Sequence, residues 1–139
     1  MPENYIGIMC GTSLDSLDFS LCCFEKVKKL KTVKSYRISQ KLKDKINLCK
    51  TKPNNQSLFN ETDEEVTHFI IRSLHTFIIF SKIKEITAIG NPGITLVHKH
   101  KKCISKTLDN QKIIAEKTKL TVIGEVRLYD MSAGGRGAP

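Results

Sequence analysis

A short apolar run that enters a polar, glycine-containing turn constrains the fold of this chain more than any other feature. Residues 5–9 read Tyr-Ile-Gly-Ile-Met, which is typical of a buried strand, and the polar stretch from Gly11 follows almost at once. Residues 17–24 alternate apolar and polar side chains well enough for a second strand. We therefore predict that these two strands pair antiparallel across the turn between them.

The next segment continues this pattern and then changes its period. Residues 31–38 alternate again, so three successive strands joined by short turns predict an antiparallel meander. Leu42, Ile46 and Cys49 then recur at helical spacing. This spacing predicts an amphipathic helix over residues 40–50.

A longer helix is predicted after a loop over residues 53–57. Thr62 and Glu65 have the spacing of a capping box, which predicts that this helix begins there and runs to about Phe80. Its apolar positions form one broad face, so we expect it to pack in the core through Val66, Phe69, Ile70, Leu74, Phe77 and Ile78.

The last part of the chain alternates strand and helix. Residues 86–90 and 120–124 are short apolar runs that end in glycine, and Asp109 is predicted to cap a helix between them. A strand-helix-strand order implies parallel pairing through a crossover helix. The sequence therefore predicts an α/β fold with one mixed sheet, in which the antiparallel meander comes first and the strand-helix-strand unit follows.

Composition limits the class of protein. A length of 139 residues suits one domain with a modest core, and no apolar run reaches the roughly 18 residues that cross a bilayer. The start lacks the pattern of a signal peptide, so we expect a cytoplasmic protein without a membrane segment. The five cysteines are an odd number without a CxxC pair, which favours reduced, apolar cysteines over disulfides or zinc.

A basic segment raises the alternative of a nucleic-acid-binding module. Residues 26–52 hold eleven lysines or arginines and one acid, within a chain of net charge +9. Such a stripe attracts polyanions. However, it contains one aromatic residue, Tyr36, and the whole chain has 19 lysines against four arginines. Because base stacking needs aromatic side chains and selected recognition favours arginine, the pattern favours a solvated face.

The polar stretch from residue 11 to residue 18, called here the 11–18 segment, is the candidate for chemistry. Backbone N–H groups and hydroxyls between two strands can form a nest that binds phosphate, and either nearby carboxylate could hold Mg²⁺ or its waters. A plain β-turn with Ser and Asp as turn formers explains the residues equally well from physics alone. The segment consists of Gly11, Thr12, Ser13, Leu14, Asp15, Ser16, Leu17 and Asp18.

Three collinear stretches carry a resemblance to a known family. Residues 7–15, Gly-Ile-Met-Cys-Gly-Thr-Ser-Leu-Asp, resemble the opening phosphate loop of the anhydro-N-acetylmuramic acid kinases, which belong to the actin/hexokinase-like ATPase superfamily. Residues 88–98, with their Ala-Ile-Gly strand, resemble the family's next strand and glycine-rich turn. Residues 113–139, which end in Ala-Gly-Gly-Arg-Gly-Ala-Pro, resemble the segment after that.

The chain also departs from the family's pattern. Ser16 stands where the family usually has a glycine, and Pro92 and Ile94 stand where its glycine-rich turn has His and Gln. Glu125 replaces an aspartate, and the stretch near residues 107–109 is about two residues shorter. The family's Asp-x-Gly-Pro-Gly motif, which carries its proposed general base, does not occur in this sequence.

The resemblance implies a fold, an activity and partners. The fold is one α/β lobe of the actin/hexokinase-like, ribonuclease H-like type, which would make residues 1–139 a single, shortened N-terminal lobe. The activity is the ATP- and Mg²⁺-dependent opening of 1,6-anhydro-N-acetylmuramic acid, with phosphate placed on O6, in cell-wall recycling. The 11–18 segment would hold ATP phosphates, and Arg127 and Asp130 would lie on the sugar side.

This lobe would carry no catalytic base of its own, so we expect the chain alone to be inactive. A separately encoded second lobe is one partner that the resemblance implies, beside ATP and the anhydro-amino-sugar, and a homodimer stays open. Two alternatives remain: a non-catalytic remnant of a broken kinase gene, and the basic nucleic-acid-binding module.

Overall fold

The first three strands pair with one another in chain order. The computed structural model describes residues 3–137, and its strands β1 (Glu3–Cys10), β2 (Ser16–Phe24) and β3 (Lys28–Arg37) form an antiparallel meander. Glu3 lies opposite Phe24 and Cys10 opposite Leu17, so the β1–β2 register closes directly onto the turn. The predicted meander and its first hairpin are confirmed.

Two helices follow, α1 (Gln40–Thr51) and α2 (Gln56–Ser81). The start predicted for α2 is wrong, because Asn55 caps the helix and its side chain accepts a hydrogen bond from the Leu58 N–H at 3.0 Å. Thr62 lies inside the helix, where its hydroxyl donates to the Leu58 carbonyl at 2.7 Å. No helix breaker stands after Asn55, so the helix begins two turns earlier and includes the end of the predicted loop.

The region after α2 contains more structure than the sequence predicted. Strand β4 (Ala88–Gly90) is followed by β5 (Ile94–Lys99) and β6 (Ile104–Leu108), which form an unpredicted antiparallel hairpin with a short 3-10 turn between them. Helix α3 (Gln111–Thr118), strand β7 (Val122–Ile123) and an unpredicted helix α4 (Val126–Ser132) complete the described part of the chain.

The α3 helix begins one residue later than predicted. Its cap is Asn110 and not Asp109, since the Asn110 side chain accepts from the Ile113 N–H at 3.1 Å. The Asp109 carboxylate is directed to Asn91 instead.

The main sheet has the strand order β3-β2-β1-β4-β7. Strand β4 pairs parallel with both β1 and β7, although β4 and β7 are shorter than residues 86–90 and 120–124. Helix α3 lies in the crossover between them. The mixed α/β sheet with parallel pairing in its second half is therefore confirmed.

The core lies between one face of this sheet and the helices. Leu17, Phe19 and Leu21 alternate inward along β2, and Phe19 meets the Phe77 ring of α2 at a centroid distance of 5.5 Å. Leu74 and Phe77 are buried as predicted, whereas Phe69 is half-buried. This packing fixes the sheet end from which the β1–β2 turn projects.

The basic residues near the start of the 26–52 segment lie on β3, which is an edge strand of the sheet. Lysines on an edge strand discourage pairing with another chain. Lys34 also packs, with its Nζ 4.0 Å from the centroid of the Phe80 ring, and Lys28 stands over Phe24 at 5.9 Å. These contacts favour the solvated-face interpretation of the stripe.

No helix within residues 3–137 is long and apolar enough to cross a membrane.

Candidate functional site

The turn between β1 and β2 is a tight, closed structure. The Leu14 N–H donates to the Gly11 carbonyl at 3.1 Å, and Leu14 has a φ of 57°, in the left-handed region. That conformation costs a leucine about 1–2 kcal/mol. The Leu14 side chain is only 2% exposed, and burying a leucine contributes about 1.5–3 kcal/mol, which offsets the strain. The turn is therefore held in place by the core beneath it.

The carboxylates of the 11–18 segment are engaged outside the turn. Lys43 of α1 lies with its Nζ 2.8 Å from Asp15 Oδ1, and hydrogen bonds from Lys43 and Ser13 lower the pKa of the exposed Asp15 carboxyl. The Ser16 hydroxyl donates to Asp18 Oδ1 at 2.9 Å. Both carboxylates thus have donors of their own.

The inner side of the turn forms one wall of a cleft of about 240 Å³, called here the loop cleft. Four parts of the chain that are far apart in sequence meet in it: the end of β1 with the turn, the end of α1, the β4–β5 turn with β5, and α4. The lining residues are Cys10, Gly11, Thr12, Leu14, Lys50, Gly93, Ile94, Thr95, His98 and Arg127.

The charge of the loop cleft is one-sided. Lys50 and Arg127 are the cations of its lining, and the lining contains no Asp or Glu. Within residues 3–137, neither side chain has a carboxylate oxygen within ion-pair distance. The two cations of the lining therefore have no carboxylate paired with them in the described part of the protein.

Several polar atoms around the cleft lack hydrogen-bond partners. Thr95 Oγ1, His98 Nδ1 and one Arg127 guanidinium nitrogen are buried and unpartnered in the part of the chain that the structure describes. The backbone N–H groups of the exposed residues Thr12 and Ser13 also meet no acceptor among residues 3–137. An unpaired buried polar group costs about 1–3 kcal/mol, so a ligand or water that supplies acceptors here would be stabilised.

The β4–β5 turn is shaped by Asn91 and Asp109. The Asn91 side chain donates to Asp109 Oδ2 at 3.0 Å and accepts from the Gly93 N–H at 3.2 Å. Gly93 has a φ of +76°, and a Cβ placed on it would lie 2.9 Å from Thr107 Cβ and closer still to Asp109 Oδ1. The turn therefore requires glycine both for its backbone conformation and for space.

Asp109 is the most strongly perturbed acid of the described chain. Burial raises the pKa of Asp109 to about 6, against opposing hydrogen bonds from Thr107 and Gln111. Its backbone N–H donates to Asp63 Oδ1 at 2.8 Å, and burial raises the pKa of Asp63 as well. These two acids support the β4–β5 turn from behind the loop cleft.

Asp130 has a different position from Arg127. Its Oδ2 accepts a hydrogen bond from the Gly137 N–H at 2.8 Å, so it holds the turn that follows α4. His98 ties the same turn to β5, because its Nε2 lies 2.8 Å from the Arg136 carbonyl oxygen. Asp130 is not among the residues that line the cleft.

The structure thus brings together four of the residues predicted from sequence: Gly11, Thr12, Leu14 and Arg127. The cleft lining leaves out the remaining predicted residues, namely Ser13, Asp15, Ser16, Leu17, Asp18 and Asp130. Sequence reasoning missed Lys50 as a site residue, and nothing in its local pattern distinguishes it from the other lysines of α1. Within residues 3–137, no three His, Cys, Asp or Glu side chains are grouped as a metal site.

Comparison with known proteins identifies the family. A family model described as anhydro-N-acetylmuramic acid kinase matches residues 3–139. Relatives with that name occur in Photobacterium profundum, Sulfurimonas denitrificans and a Sulfurovum species. The first is 34% identical over 143 residues, covering 99% of this chain and 38% of the relative. The second is 33% identical over 144 residues, covering 100% and 39%. The third is 34% identical over 142 residues, covering 99% and 40%.

The chain therefore spans about two fifths of the length of these relatives and matches their N-terminal part. Its α/β lobe, with the meander first and parallel strands after it, has the architecture that the resemblance implied. By this match over nearly all of its residues, the chain belongs to the anhydro-N-acetylmuramic acid kinase family.

Proposed function

We propose that the 11–18 segment binds the phosphates of ATP, and that this lobe supplies that binding to a kinase acting on 1,6-anhydro-N-acetylmuramic acid. The reaction would open the anhydro ring and place phosphate on O6, in the cytoplasmic recycling of cell-wall sugar. One observation carries the proposal: in a chain of this family, the β1–β2 turn and Arg127 face one cationic cleft that contains no acid.

The available donors suit phosphate. Thr12 lines the cleft and has a backbone N–H group without a protein acceptor and a side-chain hydroxyl, and the neighbouring Ser13 has a second such N–H group just outside the lining. Phosphate oxygens are acceptors only, so converging backbone N–H groups bind them without the cost of burying a counter-charge. Arg127 can add a charge-assisted hydrogen bond from its unpartnered nitrogen.

Mg²⁺ fits as an ion that arrives with the nucleotide. Asp15 is paired with Lys43 and Asp18 accepts from Ser16 through Oδ1, and each carboxylate keeps acceptor capacity that could contact Mg²⁺ or its waters. Mg²⁺ keeps several waters and binds through substrate phosphates with one or two carboxylates. When bound, it would neutralise charge on the phosphates, while the residues of the 11–18 segment hold and orient them.

Arg127 and Asp130 are proposed for the sugar side. Arg127 lies at the cleft, where a phosphate and the acceptor sugar would have to meet. Asp130 would act indirectly on the sugar side, because it does not line the cleft but holds the turn after α4, which His98 also contacts.

A turnover assay tests whether this chain alone can phosphorylate the sugar. In the proposed reaction water adds to C1 as the C1–O6 bond breaks, O6 takes the γ-phosphoryl group and ADP leaves. A general base must take the proton of the water, and such a base typically contributes about 10²–10⁴-fold in rate. The family's base motif is absent from residues 1–139. We expect no phosphorylated sugar above the enzyme-free blank from the chain with ATP, Mg²⁺ and anhydro-N-acetylmuramic acid. Product above the blank would show that this chain carries its own base.

Thr12→Val tests the binding role directly by calorimetric titration with Mg-ATP. Valine keeps the shape of threonine but removes its hydroxyl, so we expect several-fold weaker binding. Thr51→Val is the matched control, since the Thr51 hydroxyl donates to the Leu48 carbonyl at the exposed end of α1. Equal loss in both variants would contradict a specific role for the 11–18 segment.

A further inference from the structure

The lysines of α1 differ in whether the protein itself neutralises them. Lys43 pairs with Asp15 at 2.8 Å, and Lys45 contacts both Glu61 and Glu65. Lys50 has no carboxylate within ion-pair distance among residues 3–137. It is nevertheless half-buried, and it lines the loop cleft.

The fold holds Lys50 at this place. Ile46 and Cys49 anchor the last turns of α1 in the core, and Lys50 follows directly in the last turn. Its charge acts on the end of β1: burial and the negative charge of Asp18 raise the pKa of the Cys10 thiol, and Lys50 opposes that rise. Lys50 therefore projects its field onto the residue that precedes Gly11.

Arg127 approaches the same cleft from the opposite end of the chain. One of its guanidinium nitrogens is buried without a partner in the described residues. Two cations without an acid between them repel each other in a partly desolvated cleft. Such an arrangement is stabilised when an anion with several acceptor oxygens occupies the space between them.

We propose that Lys50 is a phosphate-binding residue, which contacts from α1 the same phosphate chain that the 11–18 segment holds through its backbone. The role of Lys50 rests on the proposed function, because Lys50 would be a further contact in the same nucleotide site. A lysine also interacts favourably with the carbonyl end of a helix, and Lys50 occupies such a position. The interaction of Lys50 with the end of α1 would contribute to the stability of the helix and would leave ligand affinity unchanged.

The test compares Lys50→Met with Lys52→Met by calorimetric titration with Mg-ATP, inorganic tripolyphosphate and adenosine. Each variant removes one charge near the same helix end, but Lys52 is exposed and lies outside the cleft lining. We expect Lys50→Met to weaken Mg-ATP and tripolyphosphate binding about tenfold or more, because a charge-assisted hydrogen bond is lost. Lys52→Met should change affinity less than twofold, and adenosine binding should be the same in all three proteins.

The outcomes separate this inference from the proposed function. Wild-type protein that binds Mg-ATP, with Lys50→Met binding it equally tightly, would overturn the role of Lys50 alone. Wild-type protein that binds neither Mg-ATP nor tripolyphosphate would overturn both. Lys50→Arg keeps the positive charge and should restore most of the affinity, which also covers the case in which Lys50→Met folds poorly. Failure of arginine to restore any affinity would contradict a contact made through charge.

Discussion

Lys43 Nζ lies 2.8 Å from Asp15 Oδ1, so the acid at the end of the β1–β2 turn is neutralised by α1 from outside the loop cleft. This pairing removes a negative charge from the neighbourhood of the proposed phosphates. It also ties the turn to α1, the helix whose other end carries Lys50.

Lys43→Met should raise the pKa of Asp15 toward its ordinary value. The hydrogen bond from Lys43 is the largest cause that lowers this pKa, followed by a hydrogen bond from Ser13 and the charge of Lys43. A carboxyl whose pKa is lowered by folding stabilises the protein above its unfolded-state pKa, and this stability is lost as pH falls. The free energy of unfolding of the variant should therefore decrease less than that of the wild type below about pH 4. NMR titration of the Asp15 carboxyl carbon measures the shift. Lys41→Met, which removes a charge from the same helix without this contact, should leave the Asp15 curve unchanged.

Asp109→Asn should change how stability depends on pH. Burial raises the pKa of Asp109 to about 6, so the folded state binds a proton more tightly than the unfolded state. Stability should therefore fall as pH rises from about 4 to about 6, and the asparagine variant should lose this slope. As pH rises from about 4 to about 7, we expect the free energy of unfolding of Asp109→Asn to increase by about 1–3 kcal/mol relative to that of the wild type.

Urea unfolding at both pH values measures this difference. Asp44→Asn is the control, since Asp44 lies on the exposed side of α1 and accepts from Gln40. A wild-type slope that persists in Asp109→Asn would show that another group, with Asp63 the first to examine, carries the pH dependence.

Gly93→Ala should distort the β4–β5 turn. The new methyl group would collide with Asp109 Oδ1, and the backbone φ of +76° is strained for alanine. We expect a loss of at least about 1–2 kcal/mol in the free energy of unfolding, together with weaker Mg-ATP binding. Gly90→Ala is the matched control, because a Cβ there meets nothing within 4 Å. Similar losses in both variants would argue against the Asn91–Asp109 arrangement.

The parts of the fold that sequence predicted well are those with a clean period. The β1–β2 hairpin alternates along both strands, and α1 repeats its apolar residues at helical spacing, so local pattern was sufficient. The β5–β6 hairpin was not predicted, for two reasons. Lysines and histidines between residues 98 and 102 obscure the alternation of apolar and polar side chains, and the strand register is shifted between Thr95 and Val97. The α4 helix is seven residues long and has no side-chain cap, which leaves no start signal in the sequence.

Only the part of the candidate site that lies in a local sequence motif could be predicted. Gly11 and Thr12 stand in a recognisable motif, and that motif marks the turn. Their meeting with Lys50 and Thr95 depends on how α1 and the β5–β6 hairpin pack around the sheet. The α2 start shows the same limit on a smaller scale, since Thr62 and Glu65 have the spacing of a cap but Asn55 acts first.

We propose that the 11–18 segment binds nucleotide phosphates, and this binding can be observed residue by residue. The most direct measurement is an NMR titration of the backbone amides of residues 1–139 with Mg-ATP. We expect the largest chemical-shift changes to cluster at residues 11–18 and at the neighbouring Gly93 and Thr95, with no comparable changes along β3. Changes confined to the β3 lysines at residues 28–34 would contradict it, because simple charge attraction would then explain the binding.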